Sequence, residues 1–152
     1  MNIVVYMKQV PDNESQIRVK PDGSGIVESD IKFVMNPYDE FGVEEALQIK
    51  EKLGGTVTLV CLGPDRAVEA IRTGLAMGAD KAVHLDDPAF DGGDPISTAK
   101  VLAAAIKGME CDLIFCGKQA IDDDSSMVGS VLAEMLGIPQ VSIVTKVELS
   151  DD

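Results

Sequence analysis

The sequence predicts an α/β fold, a doubly wound parallel sheet with helices on both faces. Three observations carry that prediction. Short apolar runs of strand length alternate along the chain with longer segments whose apolar residues recur at helical spacing. The helical segments open on capping residues, several with proline at the first helical position, and close on glycine. The first of these runs, residues 3–7, is apolar throughout rather than alternating, as in a strand covered on both faces. With helical crossovers between them, such strands lie parallel.

The first strand spans residues 3–7, and Lys8-Gln9-Val10-Pro11 ends it. Residues 12–30 are polar, and the apolar pairs Ile17/Val19 and Ile26/Val27 flank PDGSG, so a small β-hairpin insertion is expected after the first strand. A helix follows, with Asn36 as N-cap, Pro37 at its first position, and Asp39 and Glu40 at its positive end. Val43, Ala46 and Leu47 form its buried face and Gly54-Gly55 close it. Thr56–Leu62 is the next strand. Gly63-Pro64-Asp65 opens a helix with Val68, Ile71 and Leu75 on one face and Gly78 as its stop, and Lys81–Leu85 is another strand. Beyond the polar connection DDPAFDGGDP, Asp94 caps a helix with Pro95 in its first turn and Ala99, Leu102, Ala103 and Ile106 on one face, ending at Gly108.

Leu113–Cys116 reads as a strand and residues 117–124 as a polar turn. A helix is expected from Ser125, capped by Asp124, Ser125 and Ser126, with Val128, Val131, Leu132 and Met135 at helical spacing and Gly137 and Pro139 as its stop. Residues 141–147 read as a final strand, and the closing acids as the start of a turn. No repeat, linker or low-complexity tract interrupts the chain, so residues 1–152 form one expected domain.

Twenty-six acids against 13 bases give a net charge of −13, which argues against nucleic acid and against an anionic membrane surface as partners. No run of 18 apolar residues spans a membrane, and Met1 leads into a strand with no leader pattern. Cys61, Cys111 and Cys116 make an odd count without metal-ligand spacing, as expected of free thiols in the cytoplasm.

In a parallel sheet all helix starts meet at one rim, the carboxyl ends of the strands, and ligands bind there where strand order reverses. The first strand and Leu113–Cys116 are the expected neighbours at that switch. Tyr6, Met7 and Lys8 then face Gly117, Lys118 and Gln119, and a phosphate sits on the backbone N–H groups of residues 125–129. No Walker or GxGxxG motif occurs. Asp122, Asp123 and Asp124 read as capping and solvated acids rather than Mg2+ ligands, because consecutive turn residues point apart. The sole histidine, His84, reads as a packed strand residue. No catalytic set emerges, so the residues describe a pocket more clearly than a reaction. A small phosphotransfer enzyme using Lys118 and the acids has no forced geometry behind it. A stand-alone adenine-nucleotide-binding regulator of the stress-protein type needs only the rim and the capped helix.

The segments MKQVPD, IRVKPDGSG, MNPYDEFGVEEALQIKE, AIRTGLAMGAD and above all GKQAIDDDSSMVG, in this order, resemble the beta subunit of the electron transfer flavoproteins, over essentially all 152 residues. The resemblance implies an adenine-nucleotide-binding fold and an electron carrier rather than an enzyme. It implies a heterodimer with an alpha subunit that holds the redox FAD, while beta holds AMP or, in electron-bifurcating members, a second FAD. Acyl-CoA or other flavin dehydrogenases would donate the electrons to it. Family members continue beyond this length, into a partner-recognition loop and an arm around the alpha subunit.

Carried onto this chain, the resemblance makes Tyr6, Met7, Asn36, Pro37, Tyr38, Asp39 and Leu62 nucleotide contacts. It adds the continuous stretch Ala120, Ile121, Asp122, Asp123, Asp124, Ser125, Ser126, Met127, Val128, Gly129, Ser130 and Val131. Tyr6 replaces a residue that is often small. PAFDGGDPISTAKVLAAAI resembles the bifurcating branch, with Asp94, Ser97 and Thr98 toward a longer diphosphate and Pro95 where a threonine is usual.

Overall fold

The computed structural model describes residues 1–150; Asp151 and Asp152, where the sequence suggests a turn, lie outside the described residues. The sheet is built on β1 (Asn2–Met7), whose residues from Ile3 on are buried. It pairs in parallel with β4 (Thr56–Leu62) on one side and β6 (Leu113–Cys116) on the other, and β5 (Lys81–Leu85) lies outside β4. The order is β5-β4-β1-β6. The chain therefore winds outward from β1 through β4 to β5, then crosses back to β6, and the winding reverses between β1 and β6.

Successive strand residues face opposite sides of a sheet, and β1 is apolar on both. Ile3, Val5 and Met7 pack with Val43, Ala46 and Ile49 of α1 (Pro37–Leu53) and Ile71 of α2 (Val68–Met77). Val4 and Tyr6 pack with Ala99, Leu102 and Ile106 of α3 (Pro95–Ile106) and Leu132 of α4 (Val128–Leu136). Helices cover both faces, as the sequence predicts. The α1 helix has Asp39 and Glu40 in its first turn and Lys50 and Lys52 in its last, matching its dipole. At α3 the Asp94 carboxylate accepts the Ser97 amide at 2.7 Å, a cap worth about 1 kcal/mol.

Within residues 17–27 a single antiparallel Val19–Ile26 bridge forms, with the Lys20 amide donating to the Gly25 carbonyl and the Val27 amide to the Arg18 carbonyl, both at 2.8 Å. Ile17 and Val19 are exposed, so no buried face extends the pairing. Gln9–Pro11 does not merely end β1: it forms β2, which pairs antiparallel with β3 (Phe33–Met35). Leu75 faces solvent, while Gly74 meets Leu59 and keeps α2 close to the sheet.

The α4 helix begins at Val128, three residues later than expected, because Asp124 and Ser126 take left-handed φ angles of 51° and 53° that a helix cannot contain. Residues 141–147 form no strand. Val141 and Ile143 are mostly exposed, and Ile143 has φ 58°, which breaks an extended ladder. Among the described residues no helix is long and apolar enough to cross a membrane.

Candidate functional site

A cavity of about 350 Å³ opens at the carboxyl ends of β1, β4 and β6, at the reversal of winding where α/β sheets bind ligands. Each crossover contributes to its wall: Asn36 and Asp39 at the start of α1, Gly63 and Pro64 after β4, Asp94 and Pro95 at the start of α3, and Val128 and Gly129 at the start of α4.

The first turn of α1 organises the floor. Asn36 is 1% exposed, and its side chain makes no capping bond to its own helix. Its Nδ2 donates to the Gln119 carbonyl at 2.9 Å, and its Oδ1 accepts the Ile121 amide at 3.2 Å. It thus clamps the loop after β6, while its own amide donates to the Lys8 carbonyl at 2.9 Å. Asp39, 6% exposed, accepts the Lys8 amide at 2.8 Å on one oxygen and the Gly117 amide at 3.1 Å on the other. Burial pushes its carboxyl up to about 7, although both amides favour the charged form.

The loop after β6 is held by charge as well. Lys8 Nζ binds Asp122 at 2.8 Å and Asp123 at 3.0 Å. Burial opposes the Lys8 charge, but the two carboxylates outweigh it and raise the ammonium pKa. Burial likewise opposes the Asp123 charge, and the Ser125 amide with Lys8 overcomes it, so that carboxyl stays below its usual range. Asp124 accepts from Gln119. The acids therefore neutralise and shape their own loop, and among the described residues no cluster of three or more metal-ligating side chains forms. His84 Nε2 lies 2.8 Å from the Gly63 carbonyl, a packing contact beneath the loop after β4.

The open end of the last helix lies further along the chain than expected. The Ser125 amide, an expected phosphate donor, is taken by Asp123 at 3.0 Å, and the Asp124 amide by the Ala120 carbonyl at 2.9 Å. The first helical bond of α4 runs from the Val131 amide to Met127 at 3.0 Å. Val128, Gly129 and Ser130 are thus the residues whose amides have no acceptor within the helix.

Of the expected contacts, Tyr6, Met7, Asn36, Asp39 and Leu62 line the cavity. So do Asp94, Thr98, Ala120 and Asp123, together with Ser125, Ser126, Met127, Val128 and Gly129. Pro37, Tyr38, Ile121, Asp122, Asp124, Ser130 and Val131 stand outside this lining. Ile121 is turned to Asn36, Asp122 to Lys8 and Asp124 to Gln119, while Val131 packs into the core under α3. Tyr6 lies across the floor with its hydroxyl donating to the Leu102 carbonyl at 3.1 Å. The far wall is formed by Leu85, Phe90 and the Gly92-Gly93 pair. Its sequence signal is the PAFDGGDP segment, which follows a strand end and carries paired glycines.

Residues 24–152 match the model of the electron transfer flavoprotein domain. The chain belongs to the electron transfer flavoprotein family. Over 152 residues it is 47% identical to the electron transfer flavoprotein subunit beta of Thermoanaerobacterium thermosaccharolyticum and 45% identical to that of Clostridium acetobutylicum. Each alignment covers all of this chain and 58% of the relative. It is 43% identical to Protein FixA of Azotobacter vinelandii, over 97% of this chain and 53% of that protein. The chain thus spans somewhat more than half the length of these relatives. In this electron transfer flavoprotein chain, the GKQAIDDD segment is the loop that Asn36 and Lys8 clamp beside the cavity.

Proposed function

We propose that this chain is the nucleotide-holding part of an electron transfer flavoprotein beta subunit. Its cavity takes an adenine nucleotide, AMP in the first reading. With an alpha subunit it carries electrons from acyl-CoA or other flavin dehydrogenases to a downstream acceptor. The observation behind this reading is the cavity at the β1/β6 reversal, with the open amides of α4 at its edge. Its volume of about 350 Å³ lies toward the small end of the range for ligand sites. The chain's work is to fix a nucleotide and, with its partner, the distance and electrostatics of electron transfer.

One observation favours FAD as a second reading. The wall includes Gly92, Gly93, Asp94 and Thr98, from the segment that resembles the bifurcating branch.

The test is to denature the purified full-length protein with its alpha subunit and identify what is released. AMP with one flavin per heterodimer supports the first reading, and two flavins support the second. Absence of any adenine nucleotide overturns both. A stable nucleotide-loaded homodimer with no alpha partner would instead favour the stand-alone regulator.

A further inference from the structure

Asp39 does more than line the cavity. The ladder between β1 and β6 ends at the pair Tyr6–Cys116, and the strands part beyond it. Lys8 follows Met7, the last residue of β1, and Gly117 directly follows Cys116. Their amides converge on the two oxygens of one carboxyl group, at 2.8 and 3.1 Å. The group reaches them from the first turn of α1 and is itself buried. Gly117 has no room for a side chain there, since a β-carbon would lie 2.1 Å from Asp39 Oδ1.

We propose that Asp39 is a positioning residue of the nucleotide site: its carboxyl group ties together the two strand ends that form the cavity floor, and it takes up a proton when an anionic nucleotide binds. This rests on the nucleotide-binding reading above.

An ionised carboxylate on the wall of a half-enclosed cavity repels a phosphate, and the repulsion is only weakly damped there. Protonation removes the charge yet leaves each oxygen a lone pair for its amide. The strand ends therefore stay tied while the cavity becomes less negative. Burial already brings this carboxyl to about 7, so the proton is available near neutrality.

The groups around it do not substitute for it. From β1 the Tyr6 phenol, from β4 the Cys61 thiol and from β6 the Cys116 thiol are all pushed up by burial and stay neutral. Lys8 keeps its charge beside Asp122 and Asp123, and Asp123 keeps its own. Lys118 stands on the loop after β6, with Asp86, Asp87, Asp91 and Asp94 across the cavity. Glu40 follows Asp39 on α1 and is exposed.

The experiment uses the full-length protein, with its alpha subunit, stripped of nucleotide. AMP and, separately, uncharged adenosine are titrated calorimetrically near pH 7.5 in two buffers of different ionisation heat. AMP is expected to bring uptake of a fraction of one proton, and adenosine none. The Kd for AMP is expected to rise by up to tenfold per pH unit between about pH 7 and 8.5, above the second ionisation of a phosphate monoester near 6. Asp39→Asn has no charge to neutralise but can accept only one of the two strand-end amides, so it is expected to bind AMP about tenfold more weakly than wild type at pH 7, with a flat profile over that window.

Equal proton uptake in Asp39→Asn and wild type overturns the inference. So does a wild-type protein that binds AMP with no proton uptake and no pH dependence, a result that needs no variant to fold. A wild type that binds neither AMP nor FAD at any pH overturns the functional reading itself, and this inference with it.

Discussion

The Gly117 amide donates to Oδ1 of Asp39 at 3.1 Å, and the same closeness leaves Gly117 no room for a β-carbon. Such an atom would also lie 2.9 Å from the Asp39 nitrogen and 2.9 Å from the Tyr38 carbonyl carbon, and backbone cannot swing aside as a side chain can. Gly117→Ala is expected to destabilise the fold by about 3 kcal/mol. Gly129→Ala, whose β-carbon would meet Cys116 Cβ at an almost ordinary 3.4 Å, is expected to stay within about 1 kcal/mol of wild type. Urea unfolding of both variants checks the contrast.

Asn36 holds the loop after β6 with two hydrogen bonds from one buried amide. Asn36→Ala leaves the Gln119 carbonyl and the Ile121 amide without that partner, at an expected cost of about 2 kcal/mol. Hydrogen exchange at the Ile121 amide should speed up more than exchange in the middle of β1. Equal acceleration at both sites would show that the loss is global rather than local to the clamp.

The start of α4 is where a phosphate is proposed to sit. Gly129→Glu places a carboxylate at the cavity edge and should lower nucleotide retention at least tenfold. Glu69→Gln changes an exposed residue whose pair with Arg72 is worth less than about 1 kcal/mol, and it should change nothing. Nucleotide content per mole of purified protein reads both, and equal retention in the two variants would show the site to be misplaced.

Stability should depend on pH through Asp39. Its carboxyl is raised from the carboxylate range to about 7 in the folded chain. Between roughly pH 4 and 7 the folded state therefore binds more protons than the unfolded chain. The associated stability is fully present below about pH 4, is lost as pH rises through 7, and changes no further above it. Asp80 works in the opposite sense, because Lys50 at 2.7 Å and the Val57 amide hold its carboxyl low. Its contribution is present above about pH 4 and lost in acid. Denaturant midpoints should fall between about pH 5.5 and 8 in wild type and fall less in Asp39→Asn. An unchanged slope in the variant would assign the effect to another group.

Much of the architecture is written locally. The continuous apolar runs of β1 and β4, the Asn36-Pro37 and Asp94-Pro95 helix starts and the Gly54 and Gly137 stops are all set by residues within a few positions of one another. A short-range pattern is enough to place such elements and to infer a parallel sheet with its ligand rim. The motif GKQAIDDDSSMVG, with the segments around it, was enough to point to the family that residues 24–152 match.

Tertiary structure decided what depends on distant partners. Gln9–Pro11 is a strand only because Phe33–Met35 comes alongside it. Residues 141–147 read as a strand in the sequence but pair with no other strand among the described residues. The Ser125 amide is taken by Asp123, which moves the open end of the last helix to Val128. Asn36 and Asp39 read in the sequence as a helix cap, a first-turn acid and, by the family resemblance, nucleotide contacts. Their hydrogen-bonding capacity is spent instead on Lys8, Gly117, Gln119 and Ile121, 31 to 85 positions away for the side-chain bonds. Such bonds exist only once α1 docks across the gap between β1 and β6, and no local spacing encodes that docking.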